Sequence, residues 1–209
     1  MAQYLEIHPE TPQPRLLSRA AEIVRDCGVV VIPTDSCYAL ACRLGDKEAL
    51  DRIREIRRVD ERHHMTLMCR NLSQLGQYAR VDNAQYRLLK AATPGSYTFI
   101  LEGTKELPRR VLHPKRKTIG LRVPNHRVVQ ALLAELDEPL LTTTLHLPGD
   151  EAPLTEGWEI QDRLDASVDL ILDGGFCGTE PTTVIDLTAG VPELIRAGRG
   201  DVQILGLEA

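Results

Sequence analysis

The stretch Val29-Val30-Val31-Ile32-Pro33-Thr34-Asp35-Ser36-Cys37-Tyr38-Ala39-Leu40-Ala41-Cys42 decides the fold. Four β-branched residues in a row, opened by Gly28, read as a buried strand. Pro33 ends it, because proline has no N–H for a ladder. Two hydroxyls and a carboxylate (Thr34, Asp35, Ser36) then leave the strand end together, followed by Tyr38 and a run of small residues. Strand ends of open α/β sheets are where ligand sites form. The same residues also make ordinary turns, and local chemistry alone favours the turn.

Outward from this stretch, helical and extended patterns interleave. Arg15–Cys27 carries Leu16, Leu17, Ala20, Ile23 and Val24 at helical spacing, with Gly28 placed to cap it. Before it, Tyr4–Ile7 reads as a short strand and His8–Pro14 as a turn. Asp46–Arg58 reads as a helix with Ala49, Leu50, Ile53 and Ile56 on one face and Arg52, Arg54, Arg57 and Arg58 on its exposed face and end. Further helices are expected at Asn71–Tyr78, Asn83–Ala91, Arg127–Leu136 and Ile160–Ala166. Strands are expected at Met65–Cys69, Tyr97–Glu102, Thr118–Val123, Leu140–Leu145, Leu170–Leu172, Thr183–Leu187 and Glu193–Ala197, and Lys105–Arg116 reads as a basic loop or short helix. With no internal repeat or linker, residues 1–209 are expected to form a single α/β domain with a mixed, twisted sheet. The strand order does not follow from the pattern.

The 209 residues suffice for a sizeable core, and a net charge of −5 gives no global basic field to attract nucleic acid. Any polyanion site must be a local patch. The five cysteines (Cys27, Cys37, Cys42, Cys69 and Cys177) are scattered without metal-ligand spacing, so free thiols and no protein-bound metal are expected. Cys37 and Cys42 read as small buried hydrophobes. With neither a signal peptide nor a membrane-spanning apolar run, the reading is a cytoplasmic protein without a membrane partner. Basic residues form two groups: Arg54, Arg57, Arg58 and Arg62 with His63 and His64, then Lys105, Arg109, Arg110, Lys115, Arg116 and Lys117. They suit phosphate, although most charge runs are solvated helix faces.

Pro33-Thr34-Asp35-Ser36-Cys37-Tyr38-Ala39-Leu40 resembles the PTDT-x-Y-G-L signature of the YrdC/YciO family. In the same order, Pro94–Thr98 resembles its PG-x-x-T turn, Gly120–Pro124 its G-x-R-x-P strand end, and Thr142–Gly149 its S-T-S-A-N-x-S-G loop. Asp173-Gly174-Gly175, Pro181–Asp186 and Ile195–Gly198 resemble its D-G-G, P-S-T-V-x-D and I-x-R-x-G segments. The matches span nearly the whole chain and point to the YciO branch. The resemblance implies a YrdC-like fold, a twisted, largely open sheet flanked by helices with a concave basic groove. It also implies threonylcarbamoyl-AMP synthesis, in which L-threonine is carboxylated with bicarbonate and the carbamate attacks the α-phosphate of ATP. Pyrophosphate leaves, Mg2+ accompanies the nucleotide, and the product serves tRNA modification.

By this resemblance, Thr34, Ser36, Tyr38 and Arg122 would hold the substrate, Arg57 and Arg122 would be catalytic, and Asp35 would brace the loop; read as a residue, Tyr38 fits the core as well as the site. Arg57, Arg58, Thr144, His146, Thr182, Thr183 and Arg196 would contact nucleotide. The chain departs from the synthases at their K-x-R pair, where Arg57 and Val59 stand, and at their S-x-N pair, where Thr144 and His146 stand. The first glycine after the signature tyrosine is Ala39. Losing one preorganised contact of this kind costs about 10²–10³ in rate, so the departures imply weak activity or a changed substrate. The chain stops at Ala209, soon after the last matching segment, which implies the form without the extra C-terminal domain of long synthases. Two other readings are a non-catalytic double-stranded RNA, tRNA or nucleotide-binding module, and a metabolite sensor without turnover. The nucleotide site implies that Arg122→Ala abolishes nucleotide binding and leaves the fold intact.

Overall fold

The computed structural model describes residues 1–206, so Ala209, the expected end of the domain, lies outside the described residues. Its strands are β1 (Gln3–Glu6), β2 (Val30–Ile32), β3 (Ala39–Arg43), β4 (Thr66–Met68), β5 (Tyr97–Glu102), β6 (Thr118–Arg122), β7 (Leu140–Thr144), β8 (Leu170–Asp173), β9 (Thr183–Asp186) and β10 (Glu193–Arg196). Its helices are α1 (Pro14–Arg25), α2 (Lys47–Arg57), α3 (Leu72–Tyr78), α4 (Asn83–Ala92), α5 (Arg127–Leu136) and α6 (Gly157–Leu164). The basic stretch after β5 is mostly loop, with one 3-10 turn at Arg109–Val111. All ten strands join one sheet in the order β1-β8-β2-β3-β7-β4-β6-β5-β9-β10. The sheet is mixed: β1–β8, β8–β2, β4–β6 and β5–β9 are parallel, and the remaining neighbours are antiparallel. The expected mixed, open α/β architecture is the one observed.

Side-chain alternation divides the sheet into two unequal faces. One carries Val31, Leu40, Leu67, Phe99, Leu121, Leu141, Ile171 and Ile185, packed with α2, α3, α4 and α6 into the larger core. The other carries Val30, Ile32, Ala39, Ala41, Met68, Leu140, Leu170 and Leu172 beneath α1 and α5. That second core takes no residue from β5, β6, β9 or β10. On this half the face shows Thr98, Ile100, Thr118, Gly120, Arg122 and Val184 instead, as the alternation Thr118-Ile119-Gly120-Leu121-Arg122 dictates. Apolar runs therefore make strands covered twice, and alternating runs make strands covered by helices once.

Two local readings are corrected. Ala39–Arg43, read as a small-residue run trailing the loop, is strand β3, paired with β2 and β7. Its low intrinsic preference is overridden by neighbours on both sides, and Ala39 and Ala41 suit the tight space under α1. Gly28 is not the left-handed residue that ends α1. Cys27 takes that role, at φ 66°. The Cys27 N–H donates to the Val24 carbonyl and the Gly28 N–H to the Ile23 carbonyl, at 3.2 and 2.9 Å, the paired bonds of a Schellman ending. Gly28 is needed for close approach: a methyl there would stand 2.6 Å from Ile23 Cγ2 and 2.7 Å from its carbonyl oxygen. Gly28→Ala is therefore expected to lower unfolding free energy by about 1–3 kcal/mol. Urea denaturation with an unchanged slope and a lower midpoint is the expected result.

Candidate functional site

The loop after β2 is held from within and from across the sheet. Thr34 Oγ1 donates to the Cys37 carbonyl at 2.6 Å and accepts the Ser36 N–H at 3.1 Å, which folds the loop back on itself. Arg122, the last residue of β6, reaches over this turn. Its Nη2 donates to Asp35 Oδ1, to Ser36 Oγ at 3.1 Å and, more weakly, to Thr34 Oγ1 at 3.4 Å. Asp35 Oδ2 accepts the Asn125 N–H at 2.9 Å, and Ser96 Oγ donates to the Asp35 carbonyl at 3.0 Å. The expectation that Asp35 braces the loop matches these bonds. β2 and β6 are separated by β3, β7 and β4, so these contacts require a sheet curved across those strands.

The curve closes around a cleft of about 490 Å³ lined by Thr34, Asp35, Ser36, Ser96, Asn125, His126, Phe176 and Arg199. Phe176 stands at the lining 70% exposed, next to Gly175 at φ 89°. Arg122 is only 6% exposed. Its Nε is sealed without a partner among the described residues, and its Nη1 makes no hydrogen bond to them. The Arg199 guanidinium has no hydrogen-bond partner among the described residues, while its backbone N–H is fixed to the Pro181 carbonyl. Arg122, Arg196 and Arg199 all act on the Cys37 thiol, so three positive charges gather here. Burial outweighs them and pushes that thiol up, as it pushes Cys42, Cys69 and Cys177 to about 12. None of these four is a nucleophile at neutral pH.

The other expected site residues divide. Thr182 hydrogen-bonds Thr98 across β9 and β5 at 2.9 Å, and Arg196 caps the Thr182 carbonyl at 2.9 and 3.2 Å. Thr183 is fully buried and donates to the Gly200 carbonyl at 2.6 Å, so it supports the Arg196–Arg199 segment from behind. Arg57 and Thr144 meet at the end of β7: the Arg57 guanidinium donates to Thr143 Oγ1 at 3.0 Å and to the Thr144 carbonyl, with His63 beside Thr143 at 3.0 Å. Arg58 occupies the left-handed position ending α2, and His146 Nε2 donates to the Asp150 carbonyl at 2.9 Å. Neither touches the loop at 34–36. Of its two readings, site and core, Tyr38 takes the core one in the structure. It has no exposed surface, and its hydroxyl is spent on Asp173 at 3.0 Å and the Gly175 carbonyl at 2.6 Å. Burial raises its pKa, so it is a neutral brace between the loop and the Asp173-Gly174-Gly175 turn and does not line the cleft.

The two basic groups meet elsewhere. Arg54 donates to the Arg110 carbonyl at 3.4 Å, and His64 stacks on His113 at 5.2 Å. The small hollow between them is lined by Arg54, Arg62, His63, His64, Arg110 and His113 and shares no residue with the cleft. No described helix is long and apolar enough to cross a membrane.

The comparisons with known proteins agree with this geometry. The Sua5/YciO/YrdC family model, described as telomere recombination, matches residues 22–198. The chain belongs to the Sua5/YciO/YrdC family. It is 56% identical over 203 residues to the uncharacterized protein YciO of Escherichia coli K12, covering 97% of this chain and 98% of that one. The crystal structure of E. coli YciO superposes with a TM-score of 0.94, covering 98% of this chain and all of that one at 55% identity. P. abyssi Sua5, solved with L-threonine, shares the fold at a TM-score of 0.87 and 24% identity, over 94% of this chain and 58% of its own. These family members carry the same open mixed sheet.

Four of the lining residues named above escaped the sequence reading: Asn125, His126, Phe176 and Arg199. Each lies within two positions of a matching segment, just past Pro124, Gly175 or Gly198. Continuing each segment through the following turn would have found them. Arg122 also answers differently from expectation. Removing it strands a carboxylate that is only 10% exposed, so Arg122→Ala will not leave the fold intact. We expect a loss of about 3–5 kcal/mol, much of it restored when Asp35→Asn is added, both read by denaturant titration. Burial lowers the pKa of His63, His64 and His126 below the usual 6.5. The unfolded chain therefore binds protons first as pH falls, and stability present above 6.5 declines below it. Melting temperature should drop between about pH 7.5 and 5.5, and less steeply in a His63→Gln/His64→Gln variant.

Proposed function

We propose that the cleft carries out amino-acid carboxylation and adenylation of the threonylcarbamoyl-AMP synthase type, with L-threonine or a close analogue as the acceptor. One observation carries this reading: a hydroxyl-bearing loop is pinned to a buried arginine whose Nη1 is neither bonded nor sealed among the described residues, beside an open cleft that also holds Arg199. Bicarbonate gives up hydroxide to leave CO2, the amine nitrogen bonds to its carbon, and the amine proton leaves with that hydroxide as water. A carbamate oxygen then attacks the α-phosphorus of ATP, the bond from that phosphorus to the bridging oxygen breaks, and pyrophosphate leaves. Bicarbonate, the carbamate, ATP and pyrophosphate are all anions. The chain's part is to bind those anions with fixed donors and to hold them in line. Ser36, Ser96 and Asn125 supply neutral polar groups and Arg199 supplies charge in the lining, with Arg122 adding charge from behind Asp35 and Ser36. Asp35 is the only carboxylate in the lining and both its oxygens are engaged. The cleft lining thus offers no free carboxylate for magnesium. A magnesium ion arriving with ATP would be held by phosphate oxygens and water. The product serves a tRNA-modifying reaction in the cytoplasm on this reading.

The test is pyrophosphate release from ATP with bicarbonate, with and without L-threonine, across a panel of amino acids. Threonine-dependent release is the expected outcome, and no release with any amino acid overturns the reading. Arg199→Ala should weaken apparent nucleotide affinity about 10- to 100-fold with no change in melting temperature. RNA binding without turnover is a second reading. It is favoured by the convergence of Arg54, Arg62, Arg110 and the stacked histidines at one corner. It requires affinity for duplex RNA that falls steeply with salt, and a flat salt response rejects it.

A further inference from the structure

His126 lines the cleft beside Thr34, Asp35 and Ser36 and is the residue immediately before α5. Its backbone is extended (φ −144°, ψ 123°) and its carbonyl accepts the Gln130 N–H at 2.9 Å, as an N-cap residue does. Its side chain does not cap: no bond runs from the ring to the first-turn amides. Nδ1 is sealed from solvent with no partner among the described residues. Nε2 likewise makes no hydrogen bond to them, but it is not sealed. The two ring nitrogens thus differ in access, and that difference selects a tautomer. A proton on Nδ1 would place an N–H in a dry site with no acceptor, at the positive end of a ten-residue helix. A proton on Nε2 puts the donor where a ligand can reach it and leaves Nδ1 as a lone pair facing the favourable sign of the helix dipole.

We propose that His126 acts as an uncharged hydrogen-bond donor, its Nε2–H directed at an anionic oxygen of the bound substrate and its Nδ1 unprotonated. This rests on the function proposed above and names a residue outside the family segments quoted from the sequence. Burial and Arg122 oppose a second proton on the ring, while Asp35 and Glu10 favour one, and burial dominates. Arg127, next in the chain, is turned away onto Glu10 at 3.3 Å. At neutral pH the ring therefore brings a donor without a charge. The carbamate and the reacting phosphate both offer anionic oxygens, and a donor held by a helix end needs no reorganisation when charge develops on them. Arg122 and Arg199 carry the charge balance, and His126 adds a direction.

The experiment is 15N NMR of the histidine rings in the full chain, with the six histidines resolved by difference against His126→Ala. We expect a pyridine-type Nδ1 and a pyrrole-type Nε2 for His126, unchanged from pH about 8 down to below the usual histidine range. Addition of ATP with L-threonine and bicarbonate should shift the Nε2 resonance. In the pyrophosphate assay, His126→Ala should lower kcat by about 10²–10³, with little effect on KM for ATP. His126→Gln, which keeps an N–H donor, should recover part of that loss. An Nδ1–H tautomer, an imidazolium at neutral pH, or equal kcat in wild type and His126→Ala overturns the proposal. If wild type releases no pyrophosphate, the functional reading fails. The donor role is then judged by the ligand shift alone, and an Nε2 resonance unmoved by saturating ligand overturns it.

Discussion

The ion pair between Arg122 and Asp35 is the constraint on which the cleft depends. Both side chains are close to nine-tenths buried, so each has lost most of its hydration. Their attraction offsets that loss only if the remaining lone pairs and protons also find partners. Ser36, Thr34 and the Asn125 N–H meet that condition in part. The pair also has a geometric consequence. Its members belong to β2's trailing loop and to β6, with three strands between them in the sheet. Strand-to-strand twist of about −20 to −25° accumulates over such a span, and the pair closes the resulting curve. The concave site and the curvature of the sheet are therefore one feature, stabilised at a single point.

Much of this was legible because burial on one or two faces leaves different signatures. Val29–Ile32 and Leu170–Leu172 are uninterrupted apolar runs, and both lie in the doubly covered half of the sheet. Tyr97–Glu102 and Thr118–Arg122 alternate, and both lie where helices cover only one face. The alternation thus forecasts where the open surface lies. It says nothing of which strands neighbour one another, because pairing depends on backbone contacts that leave no side-chain period. β3 was missed for a related reason. Ala39-Leu40-Ala41-Cys42 has too little branched or aromatic character to read as extended, and its strand state comes from β2 and β7 on either side.

Site residues were legible by position and not by partner. Thr34, Ser36 and Arg122 come together as their motif positions suggest. Tyr38 shares that motif, yet its hydroxyl lies beneath the loop on Asp173, which also takes the hydroxyl of Tyr4. A tyrosine beside polar loop residues can face either way. Only the distant acceptors Asp173 and Gly175 decide it, and they lie 135 and 137 positions along the chain. Arg57, Arg122 and Arg196 each looked like a free cation in the sequence, and each is bonded to protein in the fold.

That prior bonding changes what these arginines can do. A guanidinium has five N–H donors in a fixed fork, so two or three bonds to protein leave others for a ligand and fix their direction. Arg122 spends Nη2 on its own loop, its Nε is sealed, and Nη1 is the nitrogen left for a ligand. The bonds that hold it also remove the rotamer entropy that a free side chain would lose on binding. Arg199 is the opposite case, an exposed cation with no bond to give direction. A site built from one held and one loose arginine separates orientation from capture. On the proposed function, the held one would define where an anionic oxygen sits, and the loose one would follow a ligand whose charge moves from carboxylate to phosphate. The second gathering of cations lies at the corner between α2 and the 105–117 loop, outside the cleft, and there too Arg54 and Arg110 are bonded to protein, at the Arg110 and Gly45 carbonyls. The fold therefore keeps the hydroxyl-lined cleft and the second gathering of cations on separate surfaces that share no lining residue.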